Sequence, residues 1–317
     1  MTPKVFASTE DTVEKKISFD PIGPELYALT AEGDPNSGII VGDDGVMVID
    51  AQATPAMANE LIARVAKVTN KPIKYVLLTH YHAVRALGAS AYKGAEILAS
   101  DTTRGLIAER GRQDMDSEIG RFPRLFRAEE SIPGLTWPTV TLPDQISVWL
   151  GRREVRIMHI GRGHTAGDVI AVVPDAGVVF AGDLVEYKSA CYCGDAHFTE
   201  WPATLDNLAE MQAVAMVPGR GAALTTPELV AEGIALTSDF IATLYGSVSE
   251  SVAKGRSLKD AFDFVRLAMD PKFKTFAIYE HCLPFNVVRA YDEARGIEWP
   301  VIWTAERDRE MWAALQG

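Results

Sequence analysis

The sequence predicts a layered α/β fold followed by a helical C-terminal region, and three observations carry that expectation. The strand-like run Lys74 to Thr79, a short helical stretch near Arg85 to Tyr92 and the apolar run Ala95 to Ala99 follow one another in the order of layered α/β folds. From Pro227 onward apolar residues recur at helical spacing alone. A composition that is 47% hydrophobic over 317 residues is ample for a buried core.

Taken in order, residues 1 to 15 are polar and mixed in charge, so they are expected to fray or lie on the surface. Three short β-rich runs follow, Leu26 to Thr30, Gly38 to Val41 and Val46 to Asp50, separated by turn-forming Gly33-Asp34-Pro35-Asn36 and Gly42-Asp43-Asp44-Gly45. They read as antiparallel hairpins. Asp50, at a strand end, is expected to orient a neighbouring loop by hydrogen bonding. Pro55 to Val68 places Ala58, Leu61, Ile62, Val65 and Ala66 at helical spacing, with Thr54 as N-cap before Pro55. Residues 102 to 135 carry many charges, among them Arg110, Asp114, Glu118, Arg121, Arg124 and Arg127, interleaved with Phe122, Leu125 and Phe126. They read as an inserted helical flap, either an ordinary solvated helix pair or a binding lid. Ile146 to Leu150 with Val155 to Ile160, and Val169 to Val173 with Val178 to Ala181, read as two further hairpins. A helix is expected over Leu205 to Met211 and a last strand over Val214 to Val217. Helices are then expected over Leu229 to Val252, Leu258 to Ala268, Val287 to Ala294 and Ala305 to Leu315.

The chain is organised around Val76-Leu77-Leu78-Thr79-His80-Tyr81-His82, an apolar run ending on two histidines two positions apart. Residues i and i+2 of an extended chain point the same way, so two imidazoles could converge on one ion; the other reading is a strand end with two solvated imidazoles. Gly161-Arg162-Gly163 precedes His164, and its glycines permit a tight loop that aims one imidazole. His159, inside an apolar strand, reads as a structural histidine. The loop Tyr187 to Trp201 leaves Asp183 and is rich in aromatic and polar side chains, which makes it a substrate-wall candidate. Its substrate-binding candidates are Tyr192, His197, Phe198 and Trp201. His281, in the helical region, is a candidate to reach back toward the same site, and Cys191 or Cys193 could ligate a soft metal.

Thr79-His80-x-His82 with a following helix, then Gly163-His164-Thr165-Ala166-Gly167-Asp168, then Phe180-Ala181-Gly182-Asp183, resembles the metallo-β-lactamase-fold hydrolases over residues 24 to 225. The resemblance implies an α/β fold, a four-layer αββα sandwich in residues 1–225 with a helical insertion at about 102–135, and a helical appendage in residues 226–317. It implies His80, His82 and His164 as ligands of a first metal, with Asp183 bridging toward a second. The family's H-x-H-x-D-H pattern is altered, with Val84 at the Asp position and Arg85 at the last His position. Its Pro-Gly-His-Gly turn reads Pro218-Gly219-Arg220-Gly221. A complete second site cannot form from these positions, so one metal per chain is expected, zinc or else iron. Two arginines carry the formal charge of the missing ion. One of Arg85 and Arg220 is expected to pair with Asp183 and the other to present its fork to a substrate carboxylate or oxyanion; the alternative is structural ion pairing for both.

A net charge of −12 argues against nucleic acid as a main partner. Three cysteines spell no disulfide framework, and neither a signal-peptide run nor an apolar stretch long enough for a membrane span is visible, so a soluble cytoplasmic protein is expected. The apolar content of the C-terminal helices suggests a homo-oligomer interface or a pocket roof. The resulting expectation is a metal-dependent hydrolase of a small carbonyl substrate (ester, lactone or amide), anionic and aromatic in character. It would use water activated at a three-histidine mononuclear site, with Asp183, Arg85 and Arg220 as catalytic groups. The alternatives are a non-catalytic family member acting as a binding protein and an iron-dependent redox protein.

Overall fold

The computed structural model describes residues 6–316. Its strands are β1 Ser18–Gly23, β2 Leu26–Ala31, β3 Asp34–Val41, β4 Val46–Ile49, β5 Ile73–Leu77, β6 Glu96–Ser100, β7 Val140–Leu142, β8 Gln145–Leu150, β9 Arg153–Met158, β10 Ile170–Val173, β11 Val178–Glu186 and β12 Ala215–Arg220. Its α-helices are α1 Ala7–Glu10, α2 Pro55–Val65, α3 Ala83–Ala86, α4 Asp101–Arg121, α5 Trp201–Glu210, α6 Pro227–Ala253, α7 Leu258–Phe273, α8 Tyr279–Ala294 and α9 Ala305–Gln316.

The strands form two sheets, β1 to β7 and β8 to β12, joined where Arg220 of β12 pairs with Pro35 of β3. Leu26, Ile40, Met47, Leu77 and Leu98 of the first sheet meet Val155, Ile157, Ala171, Phe180 and Val217 of the second in the core between them. On the outer face of the first sheet, α2 and α4 bury Ala58, Leu61, Val65, Leu106 and Ile107 against Ile39, Val48 and Val76. On the outer face of the second, α5 to α9 pack over Val179, Ala181 and Val185. Helix, sheet, sheet and helix make the four-layer sandwich, because each sheet has two apolar faces to remove from water. The apolar residues of the C-terminal helices, including Phe240, Leu244, Val265, Leu283 and Phe285, are spent in this intrachain core.

Several local expectations are corrected. Residues 1–5 of the polar N-terminal stretch lie outside the described residues. The next segment is neither frayed nor wholly superficial, since Ser8 of α1 is buried and Arg124 donates to Asp11 at 3.0 Å. Strands β1 and β7 were not foreseen: β1 contains Pro21, which the pattern treats as a breaker, and β7 has three residues. Helix α8 starts eight residues earlier than the Val287 expected, running through Pro284. Burial of Cys282, Leu283 and Phe285 overrides the local penalty of that proline. The charged insertion is one 21-residue helix followed by 3-10 turns rather than a solvated helix pair. Arg110, Asp114, Glu118 and Arg121 form a buried stripe along it. Among the described residues no helix is long and apolar enough to cross a membrane.

Candidate metal centre

Parallel strands β4, β5, β11 and β12 end at one edge, and their C-terminal ends deliver Asp50, the Thr79-His80 pair, Asp183 and Arg220 to it. Gly182 carries φ +54°, and any Cβ there would press on the Thr79 side chain, so the strand can pass the histidine loop only with glycine. Gly161 likewise takes φ +137° as the chain turns toward His164.

His80, His82 and His164 bring one ring nitrogen each within 4.8 Å of the others. All three are buried. The outward nitrogen of each ring is committed elsewhere, which fixes what the inward nitrogen can do. Thr79 gives its single hydroxyl proton to Asp50, 2.9 Å from Oδ2, and therefore accepts from His80 Nδ1–H at 3.0 Å. His82 Nε2–H donates to Asp195 Oδ2 at 3.2 Å, and His164 Nδ1–H donates to the Tyr192 carbonyl at 2.8 Å. Assigned from this network, His80 Nε2, His82 Nδ1 and His164 Nε2 are the nitrogens that face inward. His164 Nε2 and His82 Nδ1 stand 2.9 Å apart, and His80 Nε2 is buried with no hydrogen-bond partner. Three ring nitrogens facing one another at this spacing fit a divalent cation that displaces any proton held between His82 and His164. Asp183 Oδ2 lies 3.6 Å from His164 Nε2 and 3.9 Å from His80 Nε2.

The electrostatics follow from burial and from the carboxylates around the cluster. Burial drives the His164 imidazole down to about 3 and holds His80 well below its ordinary value. Burial also opposes charge on His82, but its hydrogen bond to Asp195 and the fields of Asp114, Asp195 and Glu118 prevail and raise it to about 9, so a proton and a metal compete there. Asp183 is buried too, yet the guanidinium of Arg85 beside it holds its carboxyl far below the usual range. Burial pushes Asp50 up to about 6 against the opposing field of Arg85.

The space on the other side of Asp183 is filled by Arg85. Arg85 is 1% exposed; its Nη2 pairs with Asp183 and donates to the Gly219 carbonyl at 2.6 Å, while Nη1 donates to the Asn36 carbonyl at 2.6 Å and lies 3.7 Å from Asp50. These residues do not fit a second cation. Arg85 is thus the arginine that pairs with Asp183, and its fork is turned to protein acceptors instead of a substrate. Arg220 stands apart, with Nη1 donating to the Gly33 carbonyl at 3.1 Å and Nε 3.8 Å from Glu186.

A narrow cavity of about 20 Å³ opens beside the histidines, lined in part by His82, His164, Asp183, Tyr192, Arg220 and His281. Tyr192 and His281 both stand on the cavity wall. His281 bonds Ser8 at 2.6 Å through Nδ1. His197, Phe198 and Trp201 do not line this cavity. His197 packs on Trp299, Phe198 stacks on Tyr245, and Trp201 is fully buried with its indole N–H on the Leu184 carbonyl. The loop that carries them is folded under the C-terminal helices, where the Asn286 side chain bonds Cys193 N and Cys191 O, and Arg289 bonds Ala196 O. Cys191 and Cys193 are buried, free thiols outside the histidine cluster. His159 is a satisfied structural histidine on the Asp168 carbonyl at 2.7 Å, and Asp50 orients the histidine loop as expected.

Four supporting residues escaped sequence reasoning. Asp195 was one polar residue in an irregular loop. Arg110, Asp114 and Glu118 recur every four positions, a spacing that signals one helix face. Arg110 donates to Asp195 at 3.2 Å, while the carboxylates of Asp114 and Glu118 accept Ala83 N–H and Val84 N–H at 2.9 and 3.0 Å. The stripe grips the loop that carries His82.

Comparison with known proteins agrees with this architecture. The Metallo-beta-lactamase superfamily profile matches residues 30–220, more than half of the chain. A linear primary-alkylsulfatase from Pseudomonas sp. (strain ATCC 19151) is 21% identical over 266 residues, covering 72% of this chain and 49% of the relative. The chain thus spans about half the length of that relative. A type 2 metallo-beta-lactamase from Bacillus sp. (strain 170) is 26% identical over 203 residues, covering 62% of this chain and 71% of the relative. Among solved structures, a metallo-beta-lactamase from Pontibacter korlensis shares the fold, with a TM-score of 0.57 at 20% identity over 71% of this chain and 99% of that one. With the sandwich, the histidine cluster at its strand edge and the matched span in agreement, the chain belongs to the metallo-β-lactamase superfamily.

Proposed function

We propose that the protein is a metal-dependent hydrolase of a small ester, lactone or amide, working from a single cation held by His80, His82 and His164. The observation that carries this reading is the set of three convergent ring nitrogens, with His80 Nε2 left partnerless in a buried site. When bound, a divalent ion such as zinc would supply Lewis acidity toward the carbonyl and toward a nucleophilic water. The chain's own contribution is to fix orientation. Asp195, the Asp50–Thr79 pair and the Tyr192 carbonyl hold the three rings in place. Arg85 fixes the Asp183 carboxylate, whose Oδ2 faces the histidines and can accept a hydrogen bond from the attacking water. Tyr192, Phe122 and Leu125 give the cavity an apolar wall that limits bulk water.

The test is turnover of a panel of aryl esters, lactones and anilides by protein of known metal content, beside His82→Ala. Hydrolysis that follows metal content and vanishes in the variant supports the reading. Turnover by metal-stripped protein, or none by metal-replete protein across the panel, contradicts it.

A further inference from the structure

A second cavity, of about 270 Å³, shares no lining residue with the one beside the histidines. The chain that follows α4 separates the two, with Phe122 and Leu125 lining the first and Arg124 and Arg127 the second. The floor of the second cavity is Leu29 and Ala31 of β2 with Leu61 of α2, all buried. Met57, Glu60, Leu61 and Arg64 follow one another at i, i+3, i+4 and i+7, so a single face of α2 forms one wall. Ile17 adds an apolar side chain that is 37% exposed.

Charged side chains also line this cavity, and every cation among them but one is matched within the chain. Arg124 holds Asp34 at 2.6 and 2.7 Å and Asp11 at 3.0 Å. Arg127 takes Glu60 through two nitrogens, each at 3.0 Å, and Lys15 holds Asp11 at 3.1 Å. Glu14, the remaining carboxylate, is exposed and reaches Arg127 only through its field. Arg64 differs from the other three. Among the described residues no group pairs with its side chain, and its Nε is a buried donor without a hydrogen-bond partner. Glu60, one turn earlier on the same helix, stands at the spacing of an ion pair, but Arg127 occupies both oxygens of that carboxylate. An unmatched guanidinium beside a buried apolar floor suits a ligand with a carboxylate at one end and an apolar body at the other. Since an apolar space of about 150 Å³ accepts benzene, this one has room for a ring and a short chain.

We propose that this cavity is a second ligand site, which takes a small carboxylic acid with an apolar body. Arg64 holds the carboxylate, and the body covers Leu29, Ala31 and Leu61. The guanidinium edge that carries Nε presents two parallel N–H groups, the geometry in which a carboxylate is bound bidentately. The site is independent of the hydrolase reading, because it needs neither the cation nor turnover.

Calorimetric titrations at constant ionic strength use phenylbutyrate and, as a neutral ligand with the same body, phenylbutanol. Each is added to zinc-loaded and to chelator-stripped protein, because a carboxylate can also bind a cation at the histidines. The expected result is that the acid binds both forms alike, and about tenfold or more tighter than the alcohol. Arg64→Met should erase that preference while affinity for the alcohol holds, with the melting temperature unchanged because Arg64 has no partner to lose. Should Arg64→Met not fold, Arg64→Lys serves in its place, since it keeps the charge without the fork and should retain only part of the preference. Failure of the acid to bind, equal affinity for acid and alcohol, or a preference that survives intact in a folded variant overturns the proposal. So does binding that disappears with the metal, the pattern of a carboxylate held at the histidines.

Discussion

The two halves of the strand edge answer the same electrostatic problem in opposite ways. At the first position three imidazoles are each held from outside so that one ring nitrogen points inward, and His80 Nε2 has no hydrogen-bond partner. A few ångströms away, where the family pattern has further metal ligands, Arg85 already satisfies Asp183, Asn36 and Gly219 and balances Asp50. One half gathers three neutral-type ligand side chains, the other a permanent positive charge. The contrast teaches that a guanidinium can balance buried carboxylates as an ion would, but cannot supply an ion's Lewis acidity.

The largest way to break this contrast is to remove a histidine. His82→Ala should lower metal affinity and hydrolysis by more than about 100-fold, since even the partners that orient metal ligands are worth 10–100-fold. Elemental analysis and turnover check it together. On the other half, Arg85→Met leaves Asp183 and Asp50 buried without their cation, and urea unfolding should show a loss of about 3–5 kcal/mol. A variant as stable as the wild type would mean that Arg85 balances nothing.

Smaller effects sharpen the first position. Asp195→Asn keeps the shape but weakens the hold on His82, so metal affinity should fall about 10–100-fold while the fold persists. Thr79→Val breaks the link between Asp50 and His80. Its effect on metal affinity should be smaller than that of Asp195→Asn, because it removes a neutral hydroxyl and not a charge-assisted partner. A chelator competition series over the two variants would expose a reversed order.

Much of this was legible in the chain. His80, His82, His164 and Asp183 stand in short motifs at strand ends, where alternation and glycine placement fix local geometry, and the altered positions Val84, Arg85 and Arg220 could be read directly. What was not legible depends on long-range packing. The loop bearing His197, Phe198 and Trp201 looked like a substrate wall because it is aromatic, yet Asn286, Arg289 and Trp303 of the C-terminal region draw it inward. The stripe Arg110, Asp114, Glu118 and Arg121 looked solvated because it is charged. Its buried partners lie between 31 and 85 residues away in sequence, beyond any local pattern.

A site in which the three histidines hold a cation and Arg85 excludes a second one has a defined metal stoichiometry. Untagged protein, loaded with zinc, dialysed and measured by elemental analysis, should retain one ion per chain. The triple variant Val84→Asp, Arg85→His and Arg220→His should retain two. Two ions in the wild type, or none, would contradict the account.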